Sequence, residues 1–413
     1  MCARCAEFTR LQHFPPAPRR ASSCAAVFPW CTRTSHSPVL VPAHYEPART
    51  GRTESVLPRE GERLDDGPVS DAWAGVDSVA LERAVRERAG RPVAGVEDMR
   101  SYLAAQVADV SHREVLGPLR AGHGPGGVVV RRGEVLARWG DPARVEMAFS
   151  ATKSVLALVA GVAFDDGLLR LDEPVCGSVE LPQFSDEHGR RITWRQLLDQ
   201  TSQWEGELWG KPTGVDAQSV REGTESAGGP PGEGWAYNDV RVNLTALALT
   251  VLVRRPLPEV LRARVMEPIG ASGSWSWHGY DNSFVDVGGV RLPVVSGGAH
   301  WGGGLWISAL DLARIGRLCL NGGEWAGRRI VSRRWIEALW TPCAVKPEYG
   351  LSWWLNDGRV VWPQAPSTGR CARGNGGNHL LWVDPARDLT LVSRWGADVE
   401  ALVAAVSEAV RPC

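Results

Sequence analysis

The chain has 413 residues, 44% of them hydrophobic and 23% charged, enough to bury a substantial core. A net charge of −1 offers no basic surface to a nucleic acid or an anionic membrane. The longest apolar runs, VLALVAGVAF and LTALALTVLV, are about half the length that crosses a bilayer, so no membrane span is expected.

Residues 1–66 are rich in Arg, Pro, Ser and Cys without sustained periodicity, and read as a disordered tail or as sequence ahead of the true start. The stretch after Arg19-Arg20 lacks an apolar signal core, which points to a cytoplasmic protein. The nine cysteines are odd in number and scattered, as expected of reduced thiols. Cys2, Cys5, Cys24 and Cys31 contain one close pair only, so no zinc site is expected. Folding signals begin at 76–90, an amphipathic helix with a Gly stop. Residues 126–140 (GGVVVRRGEVLARWG) predict a hairpin around an Arg-Gly turn.

The segment 150–166 is apolar at Val155, Leu156, Leu158, Val159 and Val162 and is closed by Gly167, which predicts a helix. Further helices are predicted over 192–202, 240–255 and 308–323. The tail reads as strand, Asp-Pro turn and strand over 379–396, then a helix over 398–410. This order predicts an α+β fold. An antiparallel sheet flanked by helices would be assembled from about 76–148 and 345–413, with a mostly helical lobe, about 149–344, inserted between. A ligand is expected where the lobes meet.

FSATKSV (149–155) holds the one Ser-x-x-Lys of the chain. On a helix Ser150 and Lys153 share a face, and the helix N-terminus favours an incipient alkoxide. A desolvated lysine can accept the serine proton, whereas an arginine stays protonated. Only three lysines stand against 43 arginines, so a lysine at this place carries weight. The plain alternative is an ordinary first helical turn. In PGEGWAYNDV (231–240), Tyr237 is one of five tyrosines, and a phenol beside a lysine can relay a proton. Its plain alternative is a packed aromatic at a loop–helix junction.

Together these features resemble the serine β-lactamase and penicillin-binding protein superfamily, in its class C and esterase-like branch. The carrying stretches are 148–175, 192–204, 231–244 and 306–325, and the likeness runs from about 125 to 396. The resemblance implies a β-lactamase/transpeptidase-like fold with Ser150 as acylated nucleophile, Lys153 as its base and Tyr237 as proton relay. It also implies an oxyanion hole from the Ser150 N–H and a strand near GNGGN (374–378). Gly377 and Asn378 would then touch the substrate, as would Asn238 and Asp239. The family's Tyr-x-Asn is here Tyr237-Asn238-Asp239, and the Lys-Thr-Gly or His-x-Gly strand motif is missing. Both departures favour an ester or small amide as substrate over a β-lactam or a D-Ala-D-Ala stem.

His300, in SGGAHWGGGLW, is expected on a loop lining the pocket. Trp204, Trp209, Trp235 and Trp301 flank the motif segments as candidates for an aromatic acyl pocket. Lys211 is a minor candidate for binding a carboxylate. No His-x-His-x-Asp-His and no Gly-x-Ser-x-Gly occurs, which disfavours metallo-hydrolase and α/β-hydrolase chemistry. The expectation is a serine hydrolase acting on a small-molecule ester or amide without cofactor or metal. A D-Ala-D-Ala carboxypeptidase or β-lactamase is the alternative within catalysis, and a ligand-binding relative without turnover is the alternative outside it.

Overall fold

Two apolar strands set the frame. β1 (Gly126–Arg131) pairs antiparallel with β2 (Glu134–Trp139), and Arg132 and Gly133 between them both take left-handed backbone, as so tight a reversal requires. The structure, a computed structural model, describes residues 62–65, 71–107, 109–216 and 229–413, all within one unit spanning Thr50–Cys413. The tail up to residue 61 and its four cysteines lie outside the described residues. Residues 62–65, which composition groups with that tail, run along the hairpin. Val135 N–H donates to the Glu62 carbonyl, Leu64 N–H donates to the Gly133 carbonyl, and Leu64 is buried.

Ahead of the hairpin come α1 (Ser78–Ala84), capped by Asp77 and extended by a π turn to Ala89, and α2 (Met99–Ala104). After it, β3 (Glu146–Met147) leads into α3 (Ala151–Asp165). The middle of the chain holds α4 (Trp194–Leu198), the short β4 (Glu207–Leu208) and β5 (Lys211–Pro212), α5 (Asp239–Val253) and α6 (Leu257–Leu261). Then follow β6 (Ser276–Val287), β7 (Val290–Val295), β8 (Gly304–Ile307) and α7 (Ala309–Leu320). β9 (Glu324–Trp325), β10 (Arg328–Arg329) and α8 (Arg333–Leu339) precede the closing strands. These are β11 (Trp354–Leu355), β12 (Arg370–Gly374), β13 (His379–Asp384) and β14 (Leu389–Arg394), and α9 (Val399–Ala409) ends the series.

The large sheet is antiparallel in the order β11-β12-β13-β14-β1-β2, so β14 meets β1 and joins the two ends of the chain. Alternation splits its side chains between two layers. Val129, Leu380, Trp382 and Leu391 share a core with Leu81 and Val85 near α1 and with Leu402, Val403 and Val406 of α9. Val128, Val130, Leu381 and Val392 belong to the other core, with α3 and with Leu312 and Ala313 of α7.

α3 is buried at every position from Ala151 to Ala163, and beyond the polar Thr152, Lys153 and Ser154 of its first turn it is apolar on all sides. Close approach to α8 explains Gly161, where an added Cβ would stand 2.3 Å from Trp335 Cδ1. The helix predicted over 192–202 is shorter: a Thr193–Gln196 capping box starts it, and it ends at Leu198, ahead of left-handed backbone at Gln200 and Gln203. A smaller sheet, β3-β8-β6-β7, holds the chain before and after Ser150. Ala148 N–H donates to the Leu305 carbonyl of β8, and Leu305 N–H donates to Thr152 Oγ1. Among the described residues no helix is long and apolar enough to cross a membrane.

Candidate active site

Phe149, with φ of 49°, turns the chain abruptly into α3. Its ring is set edge-on to His379 at 4.9 Å and to Trp395 at 5.5 Å, which fixes where the helix begins. Ser150 follows at the N-cap position. Its side chain makes no capping bond, so the hydroxyl is left for Lys153, whose Nζ donates to Oγ at 2.7 Å. Among the described residues nothing accepts the Ser150 N–H, which lies at the positive end of a 15-residue helix. β12 comes against this same turn. A Cβ at Gly374 would stand 2.4 Å from the Ala148 carbonyl oxygen, so only glycine permits the approach. Beyond it, Asn375, Gly376 and Gly377 all take positive φ, a backbone that turns successive N–H groups toward one side.

Lys153 is buried to 1% exposure and forms an ion pair with Asp239 Oδ1, itself fully buried at the first position of α5. The other carboxylate oxygen of Asp239 accepts the His300 N–H at 3.0 Å, and the Asp239 N–H donates to the buried Asp216 carboxylate. Burial pushes the Asp216 carboxyl above its ordinary range; the charge of His300 opposes this, and the negative charge of Asp239 adds to it. The cluster is tight. At Gly298 a Cβ would fall 2.2 and 2.4 Å from the two Asp239 oxygens and 2.4 Å from Lys153 Nζ. Nζ also stands 4.6 Å from the centroid of the Tyr237 ring. That ring belongs to an aromatic cluster with Trp235, Tyr349 and Trp354, at centroid distances of 6.0, 6.1 and 5.6 Å.

Above this cluster opens a cavity of about 520 Å³, lined by Ser150, Tyr237, His300, Arg373, Gly377 and Asn378 among others. Five residues expected at the site from sequence therefore meet in one cavity. Lys153 and Asp239 are not in its lining; both are buried behind it, so Asp239 meets the lysine where a substrate contact was expected. Asn238 also stays out of the lining, because its side chain caps α5, accepting from Arg241 N–H at 3.1 Å and donating to the Thr213 carbonyl at 2.8 Å. Trp204 packs its indole against Gly206 and gives its carbonyl to Arg241 Nε. Trp301 donates to the His112 carbonyl, and Trp209 packs against Tyr280. Lys211 donates to the carbonyls of His112 and Glu114 at 2.9 and 2.8 Å, as a brace between loops.

Arg373, Asp216 and Gly298 escape sequence reasoning. Arg373 lies on β12, stacks its guanidinium over Trp354 at 4.8 Å and Trp362 at 5.9 Å, and borders the cavity. Among the described residues its Nε is buried without a hydrogen-bond partner. Its signal is one cation beside a Gly-rich turn, but the register of that strand cannot be read from the sequence. Asp216 and Gly298 carry no motif, and their partners are remote in sequence.

Sheet, central helix and Ser–Lys contact define a β-lactamase/transpeptidase-like serine hydrolase. The profile of the beta-lactamase family matches residues 103–393, and the chain belongs to that family. Among curated proteins it is 30% identical over 108 residues to a 6-aminohexanoate-dimer hydrolase of Paenarthrobacter ureafaciens. That match covers 22% of this chain and 26% of the relative, so the chain spans about a quarter of the relative's length. Among solved structures, a penicillin-binding protein homolog from Caulobacter crescentus superposes with a TM-score of 0.53 at 17% identity, over 76% of this chain and 99% of that one. A family VIII carboxylesterase gives 0.51 at 15% identity, over 78% and 99%. At these identities the structures share the fold.

Proposed function

We propose that the protein hydrolyses a carboxylic ester or small amide through an acyl-enzyme on Ser150. The observation that carries this reading is the 2.7 Å contact of Lys153 Nζ with a Ser150 hydroxyl that opens onto a 520 Å³ cavity. Ser150 Oγ attacks the acyl carbon while its proton leaves toward Lys153. The Ser150 N–H and the N-terminal field of α3 take up the developing oxyanion. Tyr237, which borders the cavity and faces Lys153 with its ring, is the proposed partner for protonating the leaving group. Water then hydrolyses the acyl-enzyme.

Arg373 favours one subset of substrates. It supplies a cation at the cavity edge although the family's lysine motif is missing, which suits an acyl compound that ends in a carboxylate. The 6-aminohexanoate-dimer hydrolase is named for a linear amide of that kind, and β-lactams and D-Ala-D-Ala peptides share the feature. The test is a fluorophosphonate label followed by peptide mass spectrometry, with p-nitrophenyl ester hydrolysis alongside. Labelling of Ser150 and loss of turnover in Ser150→Ala support the reading. Turnover that survives Ser150→Ala refutes it, and a chain that binds acyl compounds without labelling is a ligand-binding relative.

A further inference from the structure

We infer that Asp239 is part of the acid–base machinery: it receives the proton that Lys153 gives up as Lys153 takes one from Ser150. This inference rests on the Ser150 acylation reading. Lys153 bonds at once to Ser150 Oγ and to Asp239, and both members of the ion pair are sealed from solvent, at 1% and 0% exposure. Water therefore cannot carry the lysine's proton away, and a carboxylate already in contact is the acceptor the geometry offers. An amide at position 239 could hold His300 N–H equally well. What the carboxylate adds is charge.

The step balances within the three side chains. The Lys153 ammonium passes one proton to the Asp239 carboxylate, leaving an amine and a carboxylic acid with no change in net charge. In the same step the Lys153 nitrogen takes the Ser150 hydroxyl proton as Oγ bonds to the acyl carbon, and the carbonyl electron pair moves onto its oxygen. On collapse of the adduct the ammonium protonates the departing alkoxide or amine, directly or through Tyr237, and Asp239 returns its proton to Lys153. Asp239 does not touch the substrate, so its role is that of a positioning residue acting through Lys153.

The surroundings suit such a role. The groups facing Asp239 are Lys153 from α3, the His300 N–H from the loop before β8, and the Asp216 carboxylate that accepts its own N–H. Tyr280 of β6 lies within reach of its charge, and Tyr237 and Tyr349 lie close around Lys153. Gly298 removes the one Cβ that would separate carboxylate from ammonium.

The decisive experiment compares wild type with Asp239→Asn, a substitution of equal size. It measures the rate of fluorophosphonate labelling at Ser150 and kcat/KM for p-nitrophenyl butyrate from about pH 5 to pH 10. In the wild type the paired ammonium and carboxylate are together the active form, so the rate should persist into the acid range. In Asp239→Asn only a neutral lysine is competent. The rate near neutrality should fall about 100-fold and recover with rising pH, its acid limb at least about two pH units above that of wild type. A limb that stays in place or moves to lower pH overturns the inference and leaves Ser150 acylation standing. Label that persists on Ser150→Ala protein, or wild type that takes no label, overturns the acylation reading and this inference with it. If the variant does not fold, a proton inventory of wild-type kcat/KM in mixtures of light and heavy water decides. A bowed plot, two protons moving together, supports the relay, and a straight line overturns it.

Discussion

Gly298→Ala puts the geometry of the site under a direct test, because the change is one methyl group and falls on no catalytic side chain. Gly298 has ordinary backbone angles, so alanine brings no conformational strain of its own. Its Cβ would stand 2.2 and 2.4 Å from the oxygens of Asp239 and 2.4 Å from Lys153 Nζ. Ordinary contact begins near 3.5 Å, so these atoms must withdraw by roughly 1 Å. They cannot do so cheaply: Asp239 is held by the His300 N–H, and both groups are fully buried. Moving Nζ by that amount takes the 2.7 Å bond to Ser150 Oγ beyond hydrogen-bond range. A misplacement of about 1 Å costs on the order of 100-fold in rate, and overpacking of this kind costs about 1–3 kcal/mol of stability. The assay is kcat/KM for a p-nitrophenyl ester, with the rate of fluorophosphonate labelling and a thermal melt on the same preparation. Gly177→Ala, at a glycine with open space around it, is the control and should change neither. A folded Gly298→Ala protein that labels at the wild-type rate would refute the claim that Lys153 must stay against Ser150.

Lys153→Arg should lower ester turnover by at least about 100-fold, because the charge persists while the base is lost, and the larger group strains a site with 1% exposure; steady-state kinetics and a melt check both halves. Arg373→Gln should raise KM about 10-fold or more for a substrate with a free carboxylate and leave its neutral methyl ester nearly unchanged. Equal effects on the pair would remove Arg373 from recognition. Asp199 gives a pH signature in stability. Burial lifts its carboxyl to about 6 although Thr201 donates two hydrogen bonds to it. Its folded pKa lies above the unfolded value of 3.8, so the native state binds the extra proton, and stability falls as pH rises from about 4 through 6. The site is worth up to about 3 kcal/mol between these limits. Urea midpoints at pH 5 and pH 8 should therefore converge in Asp199→Asn relative to wild type.

The sequence made the frame and the nucleophile legible because both are written in local patterns. Short apolar runs, an Arg-Gly reversal and an Asp-Pro turn are enough to place β1, β2, β13 and β14, and the long apolar run after Ser150 reads as a buried helix. The helix over 192–202 was overrun by four residues, since nothing in its polar exit announces that Gln200 will turn left-handed. Within the site, proximity along the chain sorts what was read from what was missed. Ser150 and Lys153 are three residues apart; Asp239 is 86 residues from Lys153, and its meeting with that lysine depends on α3 lying beside α5. The resemblance implies a substrate position for Asp239 because a motif is one-dimensional. In three dimensions the same residue turns inward, and Asn238 turns to cap the helix.

The scarcity of lysine, a compositional oddity at first, acquires a physical explanation at two of its three positions. Lys153 and Lys211 are buried to 1% and 3%, and each directs its ammonium to a narrow group of acceptors. Lys153 meets one hydroxyl and one carboxylate; Lys211 meets two backbone carbonyls and lies 5.3 Å from the Trp301 ring centroid. A guanidinium, planar and with five donors in a fixed fork, leaves some of those donors unsatisfied in such a pocket, whereas three donors on a compact tetrahedral head fit it. Lys346 is the exception, half-exposed beside Glu348 and 5.2 Å from the Trp235 ring centroid, where an arginine would serve as well. Composition thus marks the rare residue as worth examining, but only burial separates a lysine that arginine could replace from one that it could not. Lys211→Arg should accordingly lower the melting temperature while leaving ester turnover per folded molecule intact, and Lys153→Arg should lose both. The pair of measurements separates a lysine kept for its shape from one kept for its proton.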